Sequence, residues 1–155
     1  MGNRAVITAN NKLNGIGIYL HWRGGRSSVE ALLAYCNLKR YRCPEDDCYG
    51  WSYLVATIAN TFGDGLSVGI DTCKHLDTNN HDNGVYVIKD WLITERIYAD
   101  SDYEQDDYDL LAAVAVIDER QPEHMRITTK EWERFSEVRQ ATLNARLKCI
   151  YKDND

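Results

Sequence analysis

The sequence predicts an α+β fold, with an antiparallel or mixed sheet of four to five strands and about four helices in the order ββααββαα. Apolar and polar residues alternate over Ile16–Trp22, which is typical of a half-buried strand. Helical spacing follows at Val29, Leu32, Leu33 and Cys36, which form the stripe of a core-facing helix. Further helical patterns end the chain, so helices and strands are both expected to contribute to one core.

Two strands are predicted before the first helices and a third strand after them. Arg4–Thr8 is a short apolar run, and Asn10–Gly15 consists of turn-forming residues, so the first two strands are expected to form a hairpin. A third strand is indicated by the alternation that begins at Leu66 and continues through Val68 and Ile70. Strand pairing near the N-terminus should therefore organise the sheet.

The helices are delimited by capping signals and by helix-breaking residues. Ser27 and Glu30 have the spacing of a capping box, which predicts that Ser27 caps the first helix. The second helix is expected over Tyr49–Phe62. The third begins near Leu110 and is stopped by Pro122, because proline cannot continue a helix.

The remaining elements are one β segment and one long helix. Val85–Tyr98 is rich in β-branched and aromatic residues, and it predicts one long strand or two strands with a bulge near Lys89-Asp90. Thr128 and Glu131 form a second capping-box pattern before a charged helix expected to run to about Lys148. Its predicted inward face consists of Trp132, Phe135, Val138, Thr142 and Ala145.

Composition favours one folded domain. The chain has 155 residues, of which 44% are hydrophobic and 27% charged, so residues 1–150 are expected to form a single α+β domain with a frayed tail at 151–155. No apolar run is long enough for a membrane span, and the N-terminus lacks a secretory leader. Five cysteines, an odd number, favour free thiols in a cytosol.

The charge is distributed unevenly along the chain. The formal net charge is −6, but residues 1–43 carry seven Lys/Arg against one acid. Residues 44–124 carry four Lys/Arg against eighteen acids. This pattern is unlike that of a uniform nucleic-acid binder, so nucleic acid is not expected as a direct ligand. It suits either differently charged partners or a homodimer that pairs head to middle.

Three blocks of sequence carry a resemblance to known proteins. The blocks are Arg4–Thr8, Ile18–Ala31 and Asn83–Trp91, within roughly the first hundred residues. They resemble short proteins of phages and mobile elements of Gram-positive bacteria. The resemblance implies an accessory protein, and small accessory proteins of phages are often inhibitors of host defence, including anti-CRISPR proteins. It implies an origin rather than a mechanism, and it points to no catalytic residue.

An acidic segment at residues 100–109 is the first candidate site. Six carboxylates fall within these ten residues, and tyrosines lie between them. Carboxylates at this density can imitate a phosphate backbone and compete for a basic groove on a protein. The predicted partner-binding residues are Asp100, Asp102, Tyr103, Glu104, Asp106, Asp107, Tyr108 and Asp109. The other interpretation is a solvated loop whose acids favour the N-terminus of the next helix.

A glycine-arginine turn is the second candidate site. Adjacent glycines allow backbone N–H groups to approach a ligand, and the following helix N-terminus favours anions. Arg23 and Arg26 could then hold a phosphate or carboxylate as planar forks. The predicted anion-binding residues are His21, Arg23, Gly24, Gly25, Arg26 and Ser27. The other interpretation is an ordinary strand-to-helix turn with solvated arginines.

Metal and enzyme sites are weakly indicated. Cys43, Cys48, Cys73 and His75 could supply four zinc ligands, but their spacing is loose, and free thiols without metal or other cofactor are expected. No serine or cysteine lies in a recognisable nucleophile elbow. The protein is therefore expected not to be an enzyme.

Three functional hypotheses follow. The first is an accessory protein that inhibits a bacterial defence system by binding a host protein complex through the acidic segment. The second is a small-ligand protein that sequesters a nucleotide-like signal at the glycine-arginine turn. A small hydrolase is the third. The first two differ in whether charge at residues 100–109 or at residues 21–28 controls binding.

Overall fold

The computed structural model describes residues 2–63, 67–99 and 108–152, and the side chains only as far as residue 149. Within these ranges five strands and five α-helices follow one another in the order ββααβββααα. The strands are β1 Ala5–Thr8, β2 Ile16–Leu20, β3 Val68–Thr72, β4 Val85–Lys89 and β5 Leu92–Ile97. The helices are α1 Arg26–Leu38, α2 Cys48–Phe62, α3 Leu110–Glu119, α4 Thr129–Trp132 and α5 Phe135–Lys152.

The strands form one mixed sheet in the order β3-β2-β1-β4-β5. Neighbouring strands are antiparallel except for β1 and β4, which are parallel. All four residues of the central strand β1 are buried, because both faces of the sheet are covered at this position. This explains why the strand appears in the sequence as a continuous apolar run rather than as an alternation.

The main core lies between one face of the sheet and the helices. Ile7, Ile18 and Tyr86 extend from three neighbouring strands into it. Helix α1 lies centrally, and its residues from Val29 to Cys36 are all buried. The helical stripe predicted from the sequence is therefore confirmed as the part of the chain that joins sheet and helices.

The opposite face of the sheet carries a smaller core. Val6, Val85 and Val87 are buried there against Cys73. The cover comes from short 3₁₀ segments rather than from α-helices, and Leu13 is one of the residues that pack against this cluster. Among the described residues, the α-helices therefore contribute to the core on one face of the sheet.

The β segment predicted over Val85–Tyr98 consists of two strands joined by a tight turn. Asp90 and Trp91 form this turn with φ angles of 54° and 61°, as a two-residue hairpin loop of the primed type requires. Left-handed backbone is unfavourable for tryptophan, but the indole is buried and its Nε1 donates to the Tyr41 carbonyl at 2.8 Å. Tertiary packing therefore stabilises a turn that the local sequence does not favour.

The prediction that Ser27 caps α1 is wrong. The helix begins at Arg26 with Gly25 in the N-cap position, so Ser27 lies one residue inside the first turn. The Glu30 side chain does not accept from the backbone N–H groups at the start of α1, because its carboxylate points into the protein and pairs with Arg26. A buried ion pair thus takes the place of the capping box that the spacing suggested.

The capping box at Thr128 is confirmed. The Thr128 side chain accepts from the Glu131 backbone N–H, and the Glu131 side chain accepts in return from the Thr128 backbone N–H. The single helix predicted from Thr129 to Lys148 is interrupted, since residues 133–134 form a turn between α4 and α5. Val138 and Thr142 of α5 are buried, as the predicted inward face required.

No helix in the described ranges is both long and apolar enough to cross a membrane. The expectation of one domain over residues 1–150, with a frayed tail at 151–155, stays a prediction.

Replacing Leu33 by alanine should strongly destabilise the fold. Its side chain is 1% exposed in the main core, and truncating such a leucine typically costs about 2–5 kcal/mol of unfolding free energy. Leu147→Ala is the matched control, because Leu147 is a helical leucine that is 52% exposed. Urea unfolding followed by circular dichroism compares the two, and equal midpoints would contradict the core assignment.

Candidate functional site

A buried carboxylate joins three separate parts of the chain. Glu30 of α1 is 4% exposed and accepts a hydrogen bond from Arg26 Nε at 2.6 Å. Its second oxygen accepts from Arg146 Nη2 at 2.8 Å and from the Tyr108 hydroxyl at 2.5 Å. Glu30 therefore connects α1, α5 and the residues that precede α3.

The local fold explains why these groups meet. Arg26 and Glu30 are four residues apart on α1, so their side chains lie on the same face of the helix. The Arg146 guanidinium lies 5.4 Å from the centre of the Tyr108 ring and adds a cation–π contact. Burial, and secondarily the Glu30 carboxylate, raise the pKa of the Tyr108 hydroxyl, which keeps it protonated as a hydrogen-bond donor.

A pocket of about 500 Å³ opens next to this network, between the start of α3 and one face of α5. Its lining residues are Tyr108, Asp109, Leu110, Arg139, Thr142, Leu143 and Arg146. Arg139 is exposed and has no hydrogen-bond or ion-pair partner within the described ranges. The pocket therefore combines an unengaged guanidinium with groups that the Glu30 network holds in place.

The size and chemistry of this pocket suit a small anionic molecule. Small-molecule sites usually enclose about 300–1,000 Å³ and use a few fixed polar groups for orientation. Arginine is the side chain best suited to phosphate and carboxylate, because its planar fork can form two parallel hydrogen bonds. Arg139 is the pocket residue best placed to supply such a fork.

The arginines of the predicted glycine-arginine turn point in different directions. Arg26 is buried against Glu30, whereas Arg23 is exposed and lies 5.3 Å from the centre of the Phe62 ring. Arg23 also lines a separate, mostly apolar cavity of about 200 Å³ between α1, α2 and α3. The structure therefore does not bring Arg23 and Arg26 together as a two-armed clamp.

The other members of the turn are engaged in the fold. Gly24 N–H donates to the Asn3 carbonyl at 2.7 Å, and a Cβ at Gly24 would lie 2.6 Å from the Ala5 Cβ. The His21 ring contacts the Tyr19 hydroxyl at 3.0 Å. Gly25 provides the N-cap of α1, with Ser27 inside its first turn. The glycine at position 24 thus serves close backbone packing against β1.

Most of the acidic segment lies outside the described residues. Asp100, Asp102, Tyr103, Glu104, Asp106 and Asp107 all belong to this part. Tyr108 is described and is half-buried, with its hydroxyl on Glu30 rather than directed to solvent. Asp109 is exposed and caps α3, since its Oδ1 accepts from the Ala112 N–H at 3.2 Å. These two residues therefore join the segment to the body of the protein.

The four candidate zinc ligands considered from the sequence do not come together in the fold. No three of Cys43, Cys48, Cys73 and His75 place ligand atoms within 4.8 Å of one another. Cys73 is buried on the face of the sheet that the 3₁₀ segments cover, and Cys48 is exposed at the start of α2. All five cysteines are free thiols. Burial, and secondarily the Glu45 carboxylate, raise the pKa of the Cys43 thiol to about 11.

One group of residues resembles a hydrolytic triad but lacks its geometry. His75 Nδ1 lies 3.3 Å from Asp71 Oδ1 and 3.4 Å from the Thr72 hydroxyl. A triad requires the carboxylate and the hydroxyl to contact opposite ring nitrogens, so that the imidazole can relay a proton. Because both groups approach the same nitrogen, this arrangement cannot activate Thr72.

No protein-family model matches this chain, and no curated protein or solved structure matches it either. The site is therefore defined by its own geometry.

Sequence reasoning identified Tyr108 and Asp109 as site residues but missed the arginines of the pocket. Glu30 was interpreted as part of a cap, and Arg139 and Arg146 were not singled out. The available signal was helical spacing, because Arg139, Thr142 and Arg146 recur on one face of α5. That spacing could have suggested a polar face on α5 but not its contact with α1.

Replacing Glu30 by glutamine should destabilise the protein markedly. The change removes the charge that accepts from both guanidinium groups, and losing one partner of a buried ion pair typically costs about 3–5 kcal/mol. Glu95→Gln is the control, since Glu95 is 43% exposed in its pair with Lys12 and should change stability by about 0–1 kcal/mol. Denaturant unfolding measures both, and a Glu30→Gln midpoint as high as that of Glu95→Gln would argue against a stabilising network.

Proposed function

We propose that this protein is a non-enzymatic binding protein that takes a small anionic ligand into the pocket between α3 and α5. The observation that carries the proposal is the exposed Arg139 at the edge of a pocket of about 500 Å³, without a partner among the described residues. An unengaged guanidinium in a concave site is the usual means of holding a phosphate or a carboxylate. This function belongs to the same class as the small-ligand hypothesis from the sequence, but the proposed site is the pocket between α3 and α5 rather than the glycine-arginine turn.

Fixed neighbouring groups favour binding at this pocket. Arg146 donates to Glu30 through both Nε and Nη2, and Tyr108 donates to the same carboxylate, so neither side chain needs to be ordered when a ligand enters. Groups that are already ordered lose less conformational entropy on binding. Leu110 and Leu143 supply apolar walls for the uncharged part of a ligand, such as a sugar or a base.

The biological setting follows from the resemblance to accessory proteins of phages and mobile elements. A protein of this kind that bound a phosphorylated or nucleotide-like signal could lower its free concentration in the host. Host defence systems would then be weakened without any contact between this chain and a nuclease. The proposal needs no catalytic group.

Binding should depend on Arg139 and not on Arg23. Isothermal titration of the full chain with inorganic phosphate, nucleoside mono- and triphosphates and cyclic dinucleotides should identify at least one ligand. Arg139→Gln should weaken binding of that ligand by about tenfold or more, because a charged hydrogen bond contributes about 1.5–3 kcal/mol. Its fold should remain intact, since Arg139 is exposed.

Two further variants locate the site. Lys148→Gln removes one positive charge from the exposed surface of the same helix, outside the pocket, and should leave the affinity nearly unchanged. Arg23→Gln tests the glycine-arginine turn. Equal loss of affinity in Arg139→Gln and Lys148→Gln would indicate a general charge effect, and loss in Arg23→Gln alone would place the ligand at the turn.

A second candidate function is inhibition of a host defence protein complex through the acidic segment. Its support is the density of carboxylates at residues 100–109, together with the position of Tyr108 and Asp109 at the end of this segment. These two residues attach it to the buried network and to α3. An acidic surface of this kind would meet a basic groove, with association that weakens as salt rises. A second copy of this chain is another partner of the same chemistry, because its basic region would pair with the acidic segment in a homodimer.

Neutralising the acidic segment separates the two functions. The quadruple change of Asp102 and Asp106 to Asn, Glu104 to Gln and Asp107 to Asn should slow association with a protein target at low salt. It should leave phosphate or nucleotide affinity at the pocket nearly unchanged, because the proposed ligand contact there is Arg139. Co-purification from the host and protection of phage from a defended host provide the readout. Full protection by this variant would exclude the acidic segment as the inhibitory surface.

A further inference from the structure

A cysteine and two carboxylates meet at the tip of the β4–β5 hairpin. The Sγ atom of Cys43 and one carboxylate oxygen each from Glu45 and Asp90 all lie within 4.8 Å of one another. Cys43 and Glu45 belong to the loop between α1 and α2, and Asp90 belongs to the hairpin turn. The cluster therefore connects two segments that are far apart in the sequence.

Several contacts hold this cluster in place. The Asp90 N–H donates to Glu45 Oε1 at 2.5 Å, and the Glu45 carbonyl accepts from Asn10 Nδ2 at 2.6 Å. One residue further along, the Trp91 indole donates to the Tyr41 carbonyl. The three ligand groups are thus positioned by hydrogen bonds from both segments rather than by chance proximity on a surface.

The charge of this cluster lacks a counterpart. Glu45 Oε2 is a buried oxygen with no hydrogen-bond partner, although Glu45 Oε1 is satisfied. Among the described residues no lysine, arginine or histidine forms an ion pair with Glu45 or Asp90. A buried carboxylate oxygen without a partner is destabilising, and two carboxylates beside a thiol repel one another when ionised. A cation at this position would satisfy the oxygen and offset the repulsion.

We propose that Cys43, Glu45 and Asp90 bind a divalent zinc ion. Sulfur together with carboxylate oxygen is a ligand set that zinc accepts, whereas magnesium and calcium require oxygen ligands alone. Tetrahedral zinc takes four ligands, and the exposure of Asp90 leaves the fourth position to water. On binding, the Cys43 thiol loses its proton to solvent and the thiolate coordinates the metal. The ion would fasten the α1–α2 loop to the hairpin turn, independently of the ligand pocket.

Metal titration tests this site directly. The full chain is treated with a chelator, dialysed, and titrated with Zn²⁺ by calorimetry and with Co²⁺ by absorption spectroscopy. We expect one Zn²⁺ per chain and a thiolate-to-cobalt charge-transfer band that is absent in Cys43→Ser. Loss of an outer-shell partner typically lowers metal affinity about 10–100-fold. Because Asp90→Asn changes a direct ligand, zinc affinity should fall by at least this factor. Asp90 is exposed and asparagine tolerates a positive φ, so this variant should fold normally.

The matched controls are Cys48→Ser and His75→Gln. Cys48 is an exposed thiol five residues from Cys43, and it has no part in the cluster. Both controls should bind zinc like the unmodified chain. The proposal would be overturned by a native chain that takes up no zinc, by a cobalt–thiolate band that persists in Cys43→Ser, or by Asp90→Asn with unchanged affinity. Loss of binding in Cys48→Ser or His75→Gln would instead support the four-ligand set considered from the sequence.

Discussion

The buried carboxylate of Glu30 is the constraint on which the arrangement of the helices depends. Charge in a protein interior is tolerated only when it is paired and hydrogen-bonded, because the desolvation of an isolated ion is so unfavourable. Glu30 meets this requirement by accepting from groups on α1, on α5 and before α3. Helix α5 packs Val138 into the main core, and the polar tie to Glu30 adds a directional contact with α1.

The same network shapes the pocket beside it. Tyr108 and Arg146 line the pocket while bonded to Glu30, so part of the binding surface is rigid before any ligand arrives. Arg139 differs, because it lies on the same helix face without a partner in the described ranges. A fixed wall next to an unengaged charge is a physical basis for selective binding of small anions. Under the proposed function, the residues that stabilise the helices would therefore also form the binding surface.

The sequence predicted the fold class, and most of its elements, better than it predicted the site. Val29, Leu32 and Leu33 were correctly assigned to a buried helix face, because helical periodicity is a local property. At Glu30 the local spacing led to a wrong prediction. The residue has the position of a capping-box acid, but its carboxylate is a buried hydrogen-bond acceptor. Two strands with a bulge near Lys89-Asp90 were one predicted alternative, but the tight turn at Asp90-Trp91 was not predicted, since a tryptophan in left-handed conformation depends on a hydrogen bond to Tyr41 in a distant loop.

The sequence by itself determined an α+β protein with a β-hairpin at its start and a buried stripe on its first helix, because alternation and helical spacing are visible in one dimension. Only the tertiary structure decided which charged groups meet. It separated Arg23 from Arg26, joined Glu30 to Arg146, and placed Cys43 beside Asp90. These outcomes depend on how α1, α5 and the β4–β5 hairpin pack together, and the free energy of such contacts is not encoded in the spacing of any single segment.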